Sequence, residues 1–473
     1  TDDVWVSSTG SDLTGDATQN NPIKTITYAL EIIAPTFDNT ITIYLDEGIY
    51  SPSTTGEVFS IQMISNVNLI GAGEGSTILN AEQSERVINI LNCDNNLIKT
   101  MTITGGNALE TNSVDGDGGA LYIDNSNPDI NYVTITGNSA ENDGGGIRTI
   151  SGNPMFCNLT ITLNTAGDDG GGIKCSGFNG KIKNVNIFEN SASDEGGGMY
   201  LSQSDLILVK SNIVENSCGN KGGGVYLHYS NPTFYDVLIS GNSADNGGGG
   251  LRLYESNPIF TNININNNTT QEDGGGIYMS FSDPIILHST IYGNYGGGIF
   301  LSSSSYPVIT SSIIWNNSPE SILLNPNTEA GIPTITYCNI QNGWEGLGNI
   351  NNDPIFVNAN SGNYNLQEGS PCIDTGNPNP WLNDIDLSLP DMGAKGGSFF
   401  AINFDEYNFG EIGTINSTTN FELYNYRDDF IVIDSVYFNT SLFFSDAIFP
   451  MVIDPLETGI IPISTSFESF TEL

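Results

Sequence analysis

Basic residues are scarce. The 473-residue chain carries 12 Lys and Arg against 54 Asp and Glu, a formal charge of −42 at neutral pH. Nucleic-acid binding needs clustered cations to displace counterions from phosphates, so this balance excludes nucleic acid as a partner. It also opposes unaided adhesion to anionic membranes or acidic polysaccharides, unless a cation such as calcium bridges the two. Histidine is scarcer still: only His228 and His288 occur, and neither has a neighbour that would make a triad or a metal site. No run of about 20 apolar residues is present, so no membrane-spanning helix is expected. The six cysteines (Cys93, Cys157, Cys175, Cys218, Cys338 and Cys372) fit no zinc spacing. They read as free thiols serving as small hydrophobes, with one disulfide left open as an alternative. The chain begins at Thr1 with no secretion leader, as expected of a processed protein or a fragment. Little lysine alongside much Asn, Ser, Thr and Gly points to a secreted or bacterial cell-surface protein.

The repeats also lack the 3.6-residue apolar rhythm of a helix. In its place is a period of 26. Glycine clusters recur at Gly118, Gly144, Gly170, Gly196, Gly222, Gly248 and Gly274, then at Gly296 after a shorter interval. Ile135, Ile161, Ile187, Ile213, Ile239, Ile265 and Ile291 keep the same step, as do Asn138, Asn164, Asn190, Asn216, Asn242, Asn268 and Asn294. Further apolar columns run from Leu121 to Ile277 and from Ile130 to Ile286, a small-residue column runs from Ala140 to Thr270, and many repeats carry Asn-Pro or Asp-Pro, as at Asn127-Pro128 and Asp283-Pro284.

A period of this size decides the architecture. Short alternating segments are strands with one face inward, so each repeat is one coil of strands joined by turns. Coils stacked about 4.8 Å apart put like residues on like. The apolar columns become the core, and the Asn column becomes a hydrogen-bonded ladder. The glycines supply bends where φ must be positive or a side chain would collide. The fold expected is all-β: a right-handed parallel β-helix over residues 1–398, with an N-terminal helical cap at 1–35 and regular coils at 118–298. In the cap, Asn21-Pro22 is expected to open a helix whose apolar face is Ile23, Ile26, Ala29, Leu30 and Ile33. Residues 399–473 lose the glycine clusters and gain Phe, with alternation at Phe421 and Leu423 and at Ile431 and Ile433, as in a small immunoglobulin-like β-sandwich.

Several stretches resemble known families. Val4-Trp5-Val6-Ser7 through Asp12, followed by Asn21-Pro22-Ile23-Lys24-Thr25-Ile26, is similar to the opening of many secreted right-handed β-helix proteins, some polysaccharide lyases among them. Gly144 to Ile147 with Ile161 to Asn164 resembles the repeats of polymorphic outer-membrane-protein adhesins. Gly348 to Phe356, Tyr364-Asn365-Leu366, Gly369 to Gly376 and Asp391 to Ala394 are similar to the closing segment of β-helix proteins of the choice-of-anchor Q type. Phe404 to Gly410, Asn420 to Asn425, Phe430 to Phe438 and Ile453 to Ile463 resemble a choice-of-anchor D module that lacks its last strand. These resemblances imply a secreted or surface-attached protein and no single activity. The missing strand leaves two readings: a chain that stops early, or a sandwich completed by a strand from a neighbouring copy.

Chemistry is sparse. The column before the glycines reads Asp117, Asp143, Asp169, Glu195, Lys221, with Asp168 and Asp194 beside it. Stacked carboxylates repel by roughly 1 kcal/mol per pair even in water, and clustered oxygens suit calcium; Asp-Gly turns with solvated side chains are the plainer alternative. Arg148 and Lys174 lie five residues after Asp143 and Asp169. With calcium on the carboxylates they would make a lyase-like pair; otherwise they are solvated surface cations. Tyr200, Tyr226 and Tyr278, with Phe300, share a column interrupted by Arg252, and Tyr254 lies nearby, a set suited either to sugar stacking or to ring packing. The function expected is a structural or adhesive extracellular scaffold, or a filament subunit, with itself, surface glycans or proteins as partners. A calcium-dependent polysaccharide lyase or glycoside hydrolase is the alternative.

Overall fold

The computed structural model describes residues 3–111, 116–384, 388–397, 400–402, 418–425, 430–438, 442–455 and 457–465. Two compact units emerge: Thr1–Asn377 with Asp391–Gly396, and Pro378–Pro390 with Gly397–Leu473. Relative to the sequence boundary at 398/399, the stretch 378–390 groups with the second unit.

The first unit is a parallel β-helix. One coil shows the plan: strands Ile173–Ser176, Lys181–Lys183, Asn186–Phe188 and Ser191–Ala192 each pair in parallel with the strand one repeat later. Stacked, they make sheets of 22, 11 and 7 strands. The Ile column is a single pile: Ile135 lies on Ile161, then Ile187, Ile213, Ile239, Ile265 and Ile291 in direct register, all fully buried. Each such side chain contributes about 1.5–3 kcal/mol by leaving water. The small-residue column forms its own apolar strip of Ala166, Ala192, Cys218 and Ala244. All six cysteines are free thiols.

The Asn column forms the expected ladder. Each side-chain amide donates to the Asn Oδ1 one coil on, from Asn138 to Asn164 at 2.9 Å through Asn268 to Asn294 at 3.0 Å. Each acceptor oxygen also takes the backbone N–H of the Asn below, and most amides reach a core-strand carbonyl as well. The ladder runs one member further than the 26-residue count, to Asn317, because the last coil is shorter. A second ladder had drawn no attention in the sequence. Ser204, Ser230, Ser256, Ser282 and Ser305 each accept the backbone N–H of the residue one coil back. The Asn-Pro and Asp-Pro column, seen in the sequence but not read as a ladder, is a third: Asn127, Asn231, Asn257 and Asp283, with Asp205 in the same column before Leu206, accept from the coil that follows. Buried polar groups are thereby satisfied coil by coil.

Glycine is required at the first cluster position. Gly170 has φ +67°, and a Cβ there would lie 2.8 Å from Cβ of Lys174. The turn therefore leans over the next strand's outward side chain, and only glycine lets it.

The cap helix differs from the sequence reading. It spans Ile26–Ile32 with Thr25 as N-cap. Asn21-Pro22 precedes it, and Ile23 forms a parallel bridge with Val6. Apolar spacing had placed Ile23 on the helix, but its backbone is taken by a strand. Asp12 accepts from the Lys24 and Thr25 amides, and Glu57 from those of Ile26 and Thr27, so the helix start is held by two carboxylates. At the other end, residues 348–377 and 391–394 fold onto the last coils. Cys372 packs with Ile313 and Met392, the Gly393 amide donates to the Ser311 carbonyl at 2.8 Å, and Asp391 offers its carbonyl to His288 at 3.3 Å.

The second unit holds small antiparallel sheets. Phe400–Ile402, Thr418–Asn425, Thr458–Thr465 and Phe443–Phe444 form one, and Ile431–Ile433 pairs with Met451–Ile453 in another. The expected segment Phe404 to Gly410 and the position of Leu473 lie outside the described residues.

Candidate functional site

The outward face of the 11-stranded sheet gathers most of the chemistry. Its central column is continuous in register: Tyr122, Arg148, Lys174, Tyr200, Tyr226, Arg252, Tyr278, Phe300. These side chains point away from the core, yet the glycine turns cover them. Arg148, Tyr200, Tyr226 and Arg252 are all under 9% exposed, so the picture of free, solvated side chains does not hold.

The acidic column meets this one as an ion ladder. Arg148 Nε lies 3.3 Å from Asp117 Oδ2 and 3.8 Å from Asp143 Oδ2; Lys174 Nζ lies 2.7 Å from Asp143 and 2.8 Å from Asp169. Glu195 pairs with Lys221 at 3.3 Å. Asp117, Asp143 and Asp169 each also accept a backbone N–H from the coil above. Asp194 accepts from the Asn220 amide instead. The repulsion expected of stacked carboxylates is thus offset by interleaved cations.

The electrostatics follow from burial. It lifts the carboxyls of Asp117, Asp169 and Glu195 above the ordinary carboxylate value. Neighbouring Asp143 adds to the rise at Asp117, while Lys174 opposes it at Asp169 and Lys221 at Glu195. Burial and then Asp143 lift Asp168 as well. The Tyr200 and Tyr226 hydroxyls are pushed up too, first by burial and then by these acids.

Among the sequence candidates for calcium, Asp143, Asp168 and Asp169 come together, with carboxylate oxygens within 4.8 Å of one another. Asp117, Asp194 and Glu195 do not join them. The Lys174 ammonium already bridges Asp143 and Asp169, where a shared cation would sit. Calcium takes six to eight oxygens, so it would have to displace Lys174 to use this trio. The lyase-like pair is similarly committed: Arg148 also donates from Nη1 to the Thr149 carbonyl at 2.7 Å and to Ser176 Oγ at 3.0 Å.

Cations also meet rings along the column. Arg86 lies 4.5 Å from the Tyr122 ring centre, Lys174 4.6 Å from that of Tyr200, and Arg252 3.6 Å from that of Tyr278. Tyr200 and Tyr226 meet edge to face at 5.1 Å. Beside them, His228 and Tyr254 face outward, and with Tyr229 and Phe281 they form a connected aromatic group. Sequence reasoning missed Arg86, which bonds the carbonyls of Asp117 and Gly118 across an irregular coil. It set His228 aside as having no triad or metal neighbour, and it missed Tyr229 and Phe281, whose shared feature is position in the repeat and not any motif.

The architecture defines the class: this is a right-handed parallel β-helix protein. A family model described as right handed beta helix region matches residues 171–325 and 220–377. A second, described as a protein of unknown function (DUF1565), matches residues 8–206. No curated protein matches the chain. Among solved structures, pectate lyase Pel9A is similar at 14% identity over 83% of this chain and 96% of that one, with a TM-score of 0.44. The Dettilon tailspike protein is similar at 12% identity over 98% and 90%, with a TM-score of 0.48. The A-module of Azotobacter vinelandii mannuronan C-5 epimerase AlgE4 is similar at 13% identity over 62% and 91%, with a TM-score of 0.36. Identities this low carry no inference about activity.

Proposed function

We propose that this protein serves outside the cell as a non-catalytic β-helix scaffold, adhesive through its surface or assembled into filaments. One observation carries the reading. The charged groups that a catalytic site would spend on substrate are spent on each other, in the ladder from Asp117 through Arg148, Asp143 and Lys174 to Asp169. A base or an acid must reach a substrate proton, and these side chains lie under the glycine turns.

The secreted, surface-attached setting is supported by composition and by the resemblance of residues 348–394 to choice-of-anchor proteins. The immunoglobulin-like reading of the second unit is supported by its antiparallel strands. Filament assembly is supported by one edge: Phe443–Phe444 pairs with only Ser464 and Thr465 of the eight-residue strand Thr458–Thr465. Among the described residues, the rest of that edge has no partner strand, so a strand from another copy can add there.

The second reading, a calcium-dependent lyase or hydrolase, is favoured by the Asp143, Asp168 and Asp169 trio. Incubation with uronate-containing and neutral glycans, with and without calcium, separates the two. The scaffold reading expects no unsaturated products and no new reducing ends; turnover abolished by Asp169→Ala overturns it. Electron microscopy of concentrated protein tests the filament version, which monodisperse monomers would remove.

A further inference from the structure

His288 sits at an outward bend of its coil, and the same bend holds Tyr132, Asn158, Asn184, Lys210, Asp236 and Asn262 in earlier repeats. All seven have left-handed backbone, with φ from 43° to 55°. The column starts open, with Tyr132 46% exposed, and ends shut, with His288 1% exposed. What shuts it is a strap, Asp391–Gly396. Gly393 donates its amide to the Ser311 carbonyl at 2.8 Å, Ala394 to Thr290 Oγ1 at 3.1 Å, and Met392 to the Cys372 carbonyl at 2.9 Å. The strap lies flat on the coils: a Cβ on Gly393 would come within 2.9 Å of Ile313 Cδ1. Asp391 places its carbonyl 3.3 Å from His288 Nδ1.

A carbonyl only accepts, so Nδ1 carries the ring's proton and Nε2 is bare. Nε2 is enclosed and has no hydrogen-bond partner among the described residues. A second proton there makes a buried cation whose new donor meets nothing, a costly state. The residues at this bend one coil before and after, Asn262 and Ser311, are neutral. The charged groups of the strap and its surroundings are Asp374, Asp391, Lys395 and Asp236. The Asp391 carboxylate accepts the Asp374 amide at 2.9 Å, and Lys395 lies 3.9 Å from Asp236. None of the four charges bears on the His288 ring, which answers only to burial and to the Asp391 carbonyl.

Relief of such a cation is local. Continuous parallel sheets bind the coils, whereas the strap hangs on a few amides and the Met392 side chain, so it is the part that opens at least cost. We propose that Asp391–Gly396 is an acid-released clasp: a proton on His288 Nε2 lifts the strap from the coils. The chain leaves the first unit at Asn377, returns for Asp391–Gly396 and leaves again. With the clasp open, chain ties the second unit to the β-helix at Asn377 alone. Burial holds His288 at about 4 while the clasp is shut, and exposure returns it toward 6.5. Closure is therefore complete above 6.5 and is lost as pH falls toward 4, and opening should grow about 25-fold between pH 7.5 and pH 5.

Amide hydrogen exchange on the whole chain tests this, with each rate divided by its intrinsic rate at the same pH. Protection of the Met392, Gly393 and Ala394 amides should fall by that factor. His288→Asn, the residue this column holds at 158, 184 and 262, should make their protection independent of pH over that range. Gly393→Ala should lower protection at both pH values and keep the slope. The unaltered protein decides the matter even if a variant does not fold. Its opening should be flat above pH 6.5 and rise about tenfold per pH unit below it, whereas an ordinary carboxylate would set the break near pH 4. At pH 5 the strap amides should respond little to urea, and those of Ile213 and Ile239 strongly. Constant protection from pH 7.5 to 5, a break near pH 4, a fall that persists in His288→Asn, or equal urea response of strap and coils would each overturn the proposal.

Discussion

Asn216 donates its side-chain amide to Asn242 Oδ1 at 3.0 Å, while its own Oδ1 accepts both the backbone and side-chain N–H groups of Asn190 at 3.0 Å. It is a middle rung, with partners on both sides and 1% exposure. Asn216→Ala removes the acceptor of two buried donors and one donor to Asn242. Each group left unmet costs about 1–3 kcal/mol, so the urea midpoint should fall clearly, and the Asn190 amide should exchange faster than its neighbours. Asn246→Ala, at an exposed position, should change stability by less than about 0.5 kcal/mol. Equal effects of the two would show that the ladder contributes nothing.

Lys174 stands between Asp143 and Asp169, so its removal leaves an acidic trio without its cation. Lys174→Met is expected to destabilise the protein in calcium-free buffer and to recover in millimolar calcium. The unaltered protein should show little calcium-dependent shift in melting temperature. A large calcium shift in the unaltered protein, with none in the variant, would reverse this assignment.

Acid should act on two kinds of group with opposite sign. Burial pushes His288 down to about 4 from 6.5, so the folded state binds this proton less tightly than the unfolded chain does. Its contribution is present above 6.5 and is lost as pH falls toward 4, by about 3 kcal/mol in all. His288→Gln should lose that part of the pH dependence. Asp117, Asp169 and Glu195 are raised, so the folded state binds their protons more tightly. They cost stability as pH rises from the ordinary carboxylate value through their raised values, and return it on acidification. Thermal melts of the His288→Gln variant should therefore peak at mildly acidic pH. A melting temperature that falls steadily below pH 7 in that variant would contradict the carboxylate assignment.

The thiols give a direct check on packing. Burial lifts Cys175 and Cys338 to about 12, and of the six cysteines only Cys157 is partly open. A thiol reagent at neutral pH should label Cys157 first and leave the others until denaturant is added. Reductant should leave the melting temperature unchanged. Rapid labelling of Cys175 would mean that the inner strand is open.

Much of the β-helix was legible because each coil repeats the same environment. Ile135 and Ile161 face the same neighbours, so they are the same residue, and counting by 26 finds them. Where the environment stops repeating, counting stops working. Asn317 belongs to the ladder but follows a shortened coil. Ile23 has helical spacing, yet the strand at Val6 takes its backbone. Arg86 bonds carbonyls about 31 residues away in an irregular coil, and a carbonyl leaves no mark on sequence. The candidate site was half legible. Its acids and cations were visible as columns, but their interleaving depends on how the glycine turns lean.

Every rung of the Asn ladder points the same way, amide toward the later coil and oxygen toward the earlier one. Any two coils therefore present matching plugs and sockets, whichever two they are. Excising residues 190–215 as a block would bring Asn216 to the place Asn190 now holds above Asn164, and would leave a rod about 4.8 Å shorter with its joints intact. Reach in such a molecule is a number of identical steps, open to change by whole-unit gain or loss without redesign of the joint.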